Sequence, residues 1–364
     1  MKTAAVLGAG VIGLAVAELL SRRGFSVLIL EKNQKPGMET SSRNSEVVHA
    51  GMYYPTGSLK ALLCVQGREM LVDFCARHQV PWRQTGKLIV ATEQNEIPAL
   101  QAIAERAVAN RTQPLLAMNQ VEIQQKAPNV RGIQALWSTG TGIVDSHALM
   151  AKLRQLAERQ GADLLLKHEV LEAKKTQHGW QLEVAQPDGS HVQVHADVVV
   201  NAAGLWADHV ARLVCDDDLP RQVLVKGNYF DIAGLAPADT LVYPVPNPNL
   251  VGLGTHLTLD LAGNARLGPD VEMAQHRDDF AVDPLRLETF LTAAQRFLPG
   301  LKREHLRPAY AGIRPKLATD RFADFYVQEE AGRGLPGWVN LLGIESPGLT
   351  ASLAIAERVL ALVQ

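Results

Sequence analysis

A chain of 364 residues, 47% hydrophobic and 20% charged, has the composition of a soluble globular protein with room for two domains. Its net charge of −2 leaves no electrostatic footprint for nucleic acid, and the acidic run at residues 216–218 reads as a solvated loop. The three cysteines, Cys64, Cys75 and Cys215, show neither CxxC nor metal-ligand spacing and read as packed thiols of a reducing compartment.

The chain opens with AAVLGAGVIGLAVAELLSRRGFSVLILEK. A signal peptide or a spanning helix is the competing reading. It fails on the glycines, on Glu18 and on the absence of a small-residue cleavage pattern before Arg22 and Arg23. No other stretch is long enough to span without charges, so the expected location is cytoplasmic, with peripheral contact to an inner membrane left open. Residues 4–7 and 27–30 read as buried strands, and residues 11–23 as a helix stopped by Gly24. Gly8, Gly10 and Gly13 fall in GxGxxG register between strand and helix. Gly8 permits the tight turn, Gly10 the approach of a pyrophosphate, and Gly13 close helix–strand packing. The helix N-terminus offers free N–H groups to phosphate, and Glu31 stands where a ribose would donate to it. The bland alternative is an empty βαβ turn.

Downstream, SSRNSEVVHAGMYYP begins with Ser41, Ser42, Asn44 and Ser45, which can wrap a second phosphate or a ring edge. Residues 82–92 read as a strand and 96–109 as a surface helix. GTGIVD, at 140–145, imitates a second nucleotide turn but lacks the third glycine and a preceding buried strand. Asp145 is placed to cap a helix over 146–159, followed by a strand at 163–166. A meander then runs to residue 200, with Asp188-Gly189 as a hairpin turn. Residues 198–200 form a buried strand ending in the small-residue turn Asn201, Ala202, Ala203, Gly204. Residues 221–306 read as strands and loops, with a helix around 284–297. Near the C-terminus, Pro347 and Gly348 open an apolar helix from about Leu349, whose N-terminus can face a flavin and stabilise its reduced, anionic ring. One cofactor touched by the start, middle and end of the chain must be long and central. FAD fits this better than a nicotinamide dinucleotide.

With these segments in place, the chain resembles the FAD-dependent D-amino-acid oxidase superfamily, and within it the L-2-hydroxyglutarate dehydrogenase/oxidase family. The resemblance is carried by SSRNSEVVHAGMYYPTGSLKALLCVQG, VPWRQTGKLIVAT, YPVPNPNLVGLGTHLT, RPAYAGIRPKL and GIESPGLTASLAIAERV. It implies an α/β protein: a Rossmann-type FAD-binding domain of the glutathione-reductase type, with an inserted α+β, mixed-sheet substrate domain. The division expected is 1–80, 145–220 and 307–364 for the cofactor, and 81–144 and 221–306 for the substrate. Around the FAD we further place Val11, Ile12, Lys32, Val170, Trp206, Gly312, Arg314, Glu345, Ser346 and Thr350. Arg43 stands where several relatives carry histidine and cannot form a covalent flavin bond, so FAD is expected to be non-covalent.

No second nucleotide fingerprint and no redox cysteine pair is present, so the substrate itself is the expected reductant. Oxidising a 2-hydroxy acid at its CH–OH group requires a cation for the carboxylate, a base for the hydroxyl proton, and alignment with the flavin. Arg314, in AGIRPKL, is the candidate clamp, since guanidinium meets carboxylate through parallel hydrogen bonds. His49 and His256 are the candidate bases. Tyr54, Lys226 and Tyr243 are candidate substrate contacts, and Lys316 reads as a solvated neighbour. L-2-hydroxyglutarate is the substrate implied by the resemblance. An amine or amino-acid oxidase and a non-catalytic flavin protein are the alternatives. Oxygen, a quinone and an electron-transfer protein all remain open as acceptor.

Overall fold

The computed structural model describes residues 1–215, 219–246 and 254–364. The acidic run at 216–218 and part of the YPVPNPNLVGLGTHLT motif lie outside the described residues.

The first sheet has six strands, in the spatial order Tyr326–Glu329, Trp338–Leu342, Val198–Asn201, Thr3–Leu7, Ser26–Glu31 and Asp163–Leu166. All neighbours are parallel except the edge pair Tyr326–Glu329 and Trp338–Leu342. Alternation along Thr3–Leu7 shows why both faces must be covered. Ala4 and Val6 pack against the helices Val11–Arg22, Ser146–Arg159 and Gly348–Val363. Ala5 and Leu7 pack with Trp180, Leu182 and Val184 of an antiparallel meander, Glu169–Thr176, Gly179–Ala185 and His191–Ala196. A parallel sheet buried on two faces requires such unbroken apolar strands. Asp145 caps its helix by accepting from the Ala148 N–H at 2.8 Å, and Gly189 takes φ +82° in the expected hairpin.

The 20-residue helix Leu59–His78 is absent from the sequence expectations. Ser58 caps it, accepting from the Ala61 N–H. Its buried side includes Lys60, Gly67 and Arg68 beside Leu63, Leu71 and Phe74, which blurs the apolar period. Gly67 permits the crossing with the last helix, since a Cβ there would lie 2.5 Å from the Thr350 carbonyl oxygen. The strand expected at 82–92 is broken into Trp82–Arg83 and Lys87–Ala91. Gly86, at φ +67°, makes the break, and a Cβ on it would sit 2.0 Å from the Trp137 ring. A buried strand, Gln134–Ser138, does precede GTGIVD, but the turn leads into another strand, Gly142–Val144, instead of a helix.

The second, mixed sheet has nine strands and is built around Gln222–Ile232, Leu241–Pro244, Lys87–Ala91 and Gln134–Ser138. Phe230, Phe290 and Phe297 centre its core. The helix expected around 284–297 is a 3-10 turn, Pro284–Arg286, continued by Leu287–Gln295. The long strand Leu306–Leu317 pairs antiparallel with Gln222–Ile232. It therefore lies in the second sheet, beyond the expected division at 307. It also meets the 40–44 segment: Tyr310 Oη donates to the Asn44 carbonyl at 2.5 Å and Thr40 Oγ1 to the Ile313 carbonyl at 3.0 Å. This strand joins the two sheets at the cavity.

Candidate active site

A cavity of about 1140 Å³ runs between the sheets. That exceeds the roughly 300–1,000 Å³ of an ordinary small-molecule pocket and suits a dinucleotide with a second ligand beside it.

At one end the glycine turn closes on the strand Val198–Asn201. Gly8 has φ +104°, and a Cβ there would lie 2.7 Å from the Ala202 carbonyl oxygen. A Cβ on Gly10 would meet Ser41 Oγ at 2.9 Å, and one on Gly13 the Gly8 carbonyl at 1.9 Å. Gly13 thus serves packing and does not line the cavity, as the motif requires. The first helix has no cap from its own N-cap side chain; Ser41 Oγ accepts from the Val11 N–H at 3.0 Å. Glu31, 7% exposed, is held by the Ala9 and Asn33 N–H groups, each at 2.8 Å. Lys32 binds Glu39 at 2.6 Å and lies 4.7 Å from the Trp206 ring centre.

Gly8, Gly10, Val11, Ile12, Glu31, Lys32, Ser41, Arg43, Asn44, Ser45, Val170, Ala202, Ala203, Gly204 and Trp206 all line this cavity. Gly312, Arg314, Glu345, Ser346, Pro347, Gly348 and Leu349 line it from the C-terminal side. Two expectations need correction. Ser42 does not line the cavity, and its hydroxyl donates to the Glu39 carbonyl at 3.3 Å. Thr350 is fully buried behind the wall, accepting from the His49 N–H at 3.0 Å and donating to the Val47 carbonyl at 3.2 Å. Arg43 stacks 4.3 Å over the Phe280 ring, and its Nε is buried without a partner among the described residues. A Cβ on Gly312 would lie 1.9 Å from the Arg43 carbonyl, so only glycine lets the strand approach.

The glycine cradle, the N-terminus of the first helix with Ser41 beside it, the N-terminus of Gly348–Val363, which its own N-cap side chain leaves uncapped, and an Arg43 Nε unpartnered among the described residues fit an FAD. Its phosphates would meet the first helix and Ser41, its ribose Glu31, and its ring the turn Glu345–Gly348.

The opposite end gathers His49, Tyr53, Tyr54, Tyr229, Tyr243 and His256. His49 Nε2 lies 3.3 Å from Ser346 Oγ, which lies 3.3 Å from the Tyr54 hydroxyl. His256 Nδ1 lies 2.9 Å from the Gly254 carbonyl oxygen. A carbonyl only accepts, so Nδ1 carries the proton and Nε2 is left with its lone pair. Burial, with the charge of Lys87 adding to it, pushes both imidazoles down to about 3, so both are neutral near pH 7. Burial likewise holds the Tyr54 and Tyr243 phenols well above their ordinary range.

Arg314 lines the cavity, but much of its fork is already engaged. Nε donates to the Val225 carbonyl at 3.3 Å, and Nη2 to the carbonyls of Lys226 and Asp270 at 3.2 and 2.7 Å. Among the described residues Nη1 has no such partner and remains for a ligand, so the parallel two-bond clamp becomes a rigidly held single donor. Lys226 does not line the cavity. Alternation along Gln222–Ile232 turns Val225 and Gly227 inward and Lys226 outward, to Asp279 at 2.8 Å. Lys316, expected in solvent, is a half-buried lining residue. Sequence reasoning missed Tyr229, stacked at 4.5 Å on Tyr310, and Lys87, whose signal was a lysine opening the apolar run LIVA.

Fold and cavity define a flavin-dependent oxidoreductase. Residues 3–362 match the family model described as DAO, FAD dependent oxidoreductase. The chain is 40% identical to the mitochondrial L-2-hydroxyglutarate dehydrogenase of Arabidopsis thaliana, over 97% of this chain and 82% of that one. It is 26% identical to the L-2-hydroxyglutarate dehydrogenase of Indibacter alkaliphilus, over 97% and 96%. Among solved structures, L-alpha-glycerophosphate oxidase from Mycoplasma pneumoniae superposes with TM-score 0.90 at 24% identity, covering 100% of this chain and 95% of that one. Glycine oxidase from Geobacillus kaustophilus gives 0.83 at 22%, with coverages of 100% and 95%. Both likenesses show the fold. The chain belongs to the FAD-dependent oxidoreductases of the D-amino-acid oxidase type, and within them to the L-2-hydroxyglutarate dehydrogenase family.

Proposed function

We propose that this chain oxidises a short 2-hydroxy acid, L-2-hydroxyglutarate first, to the 2-oxo acid. The observation that carries the reading, beside its relatives' names, is one cavity joining a dinucleotide cradle to a pair of neutral imidazoles. FAD, when bound, accepts the hydride. The remaining work falls to the chain's own residues. Arg314 Nη1 meets a substrate carboxylate, and Tyr54 and Tyr243 shape the pocket. His256 Nε2, with its tautomer fixed by Gly254, takes the hydroxyl proton, or His49 does so from beside Ser346. A neutral imidazole accepts a proton without first losing one.

We hold the FAD to be non-covalent. Arg43 offers no nucleophile, and burial pushes the Cys64 thiol up to about 12, leaving little thiolate. Among the described residues no helix is long and apolar enough to cross a membrane. We place the protein in the cytoplasm, whereas its plant and animal relatives are named as mitochondrial. Turnover with an artificial acceptor tests the substrate. L-2-hydroxyglutarate should be preferred to D-2-hydroxyglutarate, glycine, sarcosine and D-amino acids. Preference for an amine would transfer the chain to the amine-oxidase reading.

A further inference from the structure

The strand Lys87–Ala91 is buried along its whole length, and its first residue is a lysine. Lys87 is 0% exposed and, among the described residues, has no ion-pair partner. Its ammonium lies over two rings, 4.5 Å from the centre of Tyr53 and 4.4 Å from that of Tyr243. Its hydrogen-bond partner is a weak one, Met52 Sδ at 3.6 Å. Among the described residues, the hydroxyls of both tyrosines are buried without a partner. Among the described residues the cluster therefore holds one ammonium, two phenols and no carboxylate, directly behind a cavity wall that Tyr53 and Tyr243 themselves form. A cation left without a counter-ion in the interior is strongly unfavourable. Here the fold buries a lysine amine and lines it with aromatic faces, which favour its protonated form.

We propose that Lys87 is a positioning residue: it is the counter-charge for an anionic substrate, held one side-chain layer behind the cavity wall and acting through Tyr53 and Tyr243. This rests on the reading that the cavity receives an organic anion beside the flavin. A carboxylate in the cavity supplies the missing negative charge. The ammonium under each ring draws electron density from the phenol and strengthens its hydroxyl as a donor.

Burial lowers Lys87 to about 7, with Cys64 opposing the shift. The groups facing it are His49, Tyr53 and Met52 from the segment after Val47–Val48, Cys64 and beyond it Arg68 from Leu59–His78, Tyr243 from Leu241–Pro244, and His256. The imidazoles are neutral down to about 3 and the Cys64 thiol up to about 12. Lys87 is thus the member of this cluster that titrates near neutrality. An entering anion raises its proton affinity. Between pH 7 and 9, binding should draw a proton from solution and weaken as pH rises.

The test uses the FAD-loaded enzyme with 2-oxoglutarate and succinate as probes, followed by flavin difference spectra and by calorimetry in buffers of unlike ionisation enthalpy. Wild type should take up nearly one proton per anion at pH 8. Lys87→Met should bind about tenfold more weakly, lose the uptake, raise KM more than it lowers kcat, and melt no lower than wild type. Lys87→Arg should restore affinity without proton uptake. Wild-type affinity and uptake in Lys87→Met would overturn the proposal, as would a lower melting temperature with unchanged affinity. If Lys87→Met loses its flavin, Lys87→Arg decides alone: pH-dependent binding like that of wild type overturns the proposal. The probes need no turnover, so a hydroxy acid that fails to reduce the flavin counts against the proposed function and not against Lys87.

Discussion

Tyr243 and His256 stack nearly parallel, ring centres 3.8 Å apart and planes inclined by 23°. The stack and the 2.9 Å bond from Nδ1 to the Gly254 carbonyl hold the imidazole in one tautomer and one plane. Of His256→Gln and His49→Gln, the variant that removes the base should slow flavin reduction about a hundredfold. Rapid mixing under nitrogen reads this directly. Wild-type rates in both variants would remove the proton from both residues.

The same imidazole makes the fold acid-sensitive. Burial depresses the folded-state pKa of His256 from 6.5 to about 3, so below 6.5 the unfolded chain binds a proton that the folded chain refuses. Stability is full above about pH 6.5 and is lost as pH falls toward 3. At pH 5 the loss is about 2 kcal/mol. Melting curves between pH 5 and 7.5 should show a smaller slope for His256→Gln than for wild type.

Gly13→Ala should cost flavin before it costs fold. Its Cβ would fall 1.9 Å from the Gly8 carbonyl, forcing helix and strand apart where the phosphates bind. Overpacking of this kind costs about 1–3 kcal/mol. The purified variant should carry less FAD and melt lower. Gly300, whose Cβ would meet nothing within 4 Å, provides the control, and Gly300→Ala should match wild type on both counts.

Lys60 and Glu345 form an ion pair of 2.7 Å with side chains only 4% and 12% exposed. It ties the start of Leu59–His78 to the cavity-lining turn Glu345–Gly348. Breaking such a pair from one side costs about 3–5 kcal/mol, because the other charge is stranded. Lys60→Met should lower the melting temperature sharply. Lys60→Met with Glu345→Gln should recover much of the loss.

Arg314 and Lys226 stand at adjoining register positions across paired strands, with opposite consequences. Arg314→Ala should raise KM, losing roughly 2–5 kcal/mol of substrate capture. Lys226→Met removes a partner of Asp279, not of the substrate, so it should lower stability and leave KM unchanged. An unchanged kcat/KM in Arg314→Ala would take that residue out of the site.

The parts of this fold legible in the sequence were those fixed by neighbours along the chain. The GxGxxG turn, the Asp145 cap, the strand Asp163–Leu166 and the Asp188-Gly189 hairpin each follow from a handful of adjacent residues. The helix Leu59–His78 was hidden because its buried face carries Lys60, Gly67 and Arg68, whose partners are Glu345, the last helix and the Gly140 carbonyl. The outward turn of Lys226 depends on strand register, and the engagement of Arg314 Nε and Nη2 on carbonyls of Val225, Lys226 and Asp270, far away in sequence. Lys87 was illegible for the same reason: in sequence it begins an apolar strand, and only packing sets it behind two tyrosines.

Anaerobic mixing of the purified yellow protein with L-2-hydroxyglutarate tests the central claim most directly. The account predicts loss of the oxidised-flavin absorbance within the catalytic time and release of 2-oxoglutarate in equal amount. A flavin that stays oxidised with this substrate, or a protein that takes up no flavin at all, would contradict it.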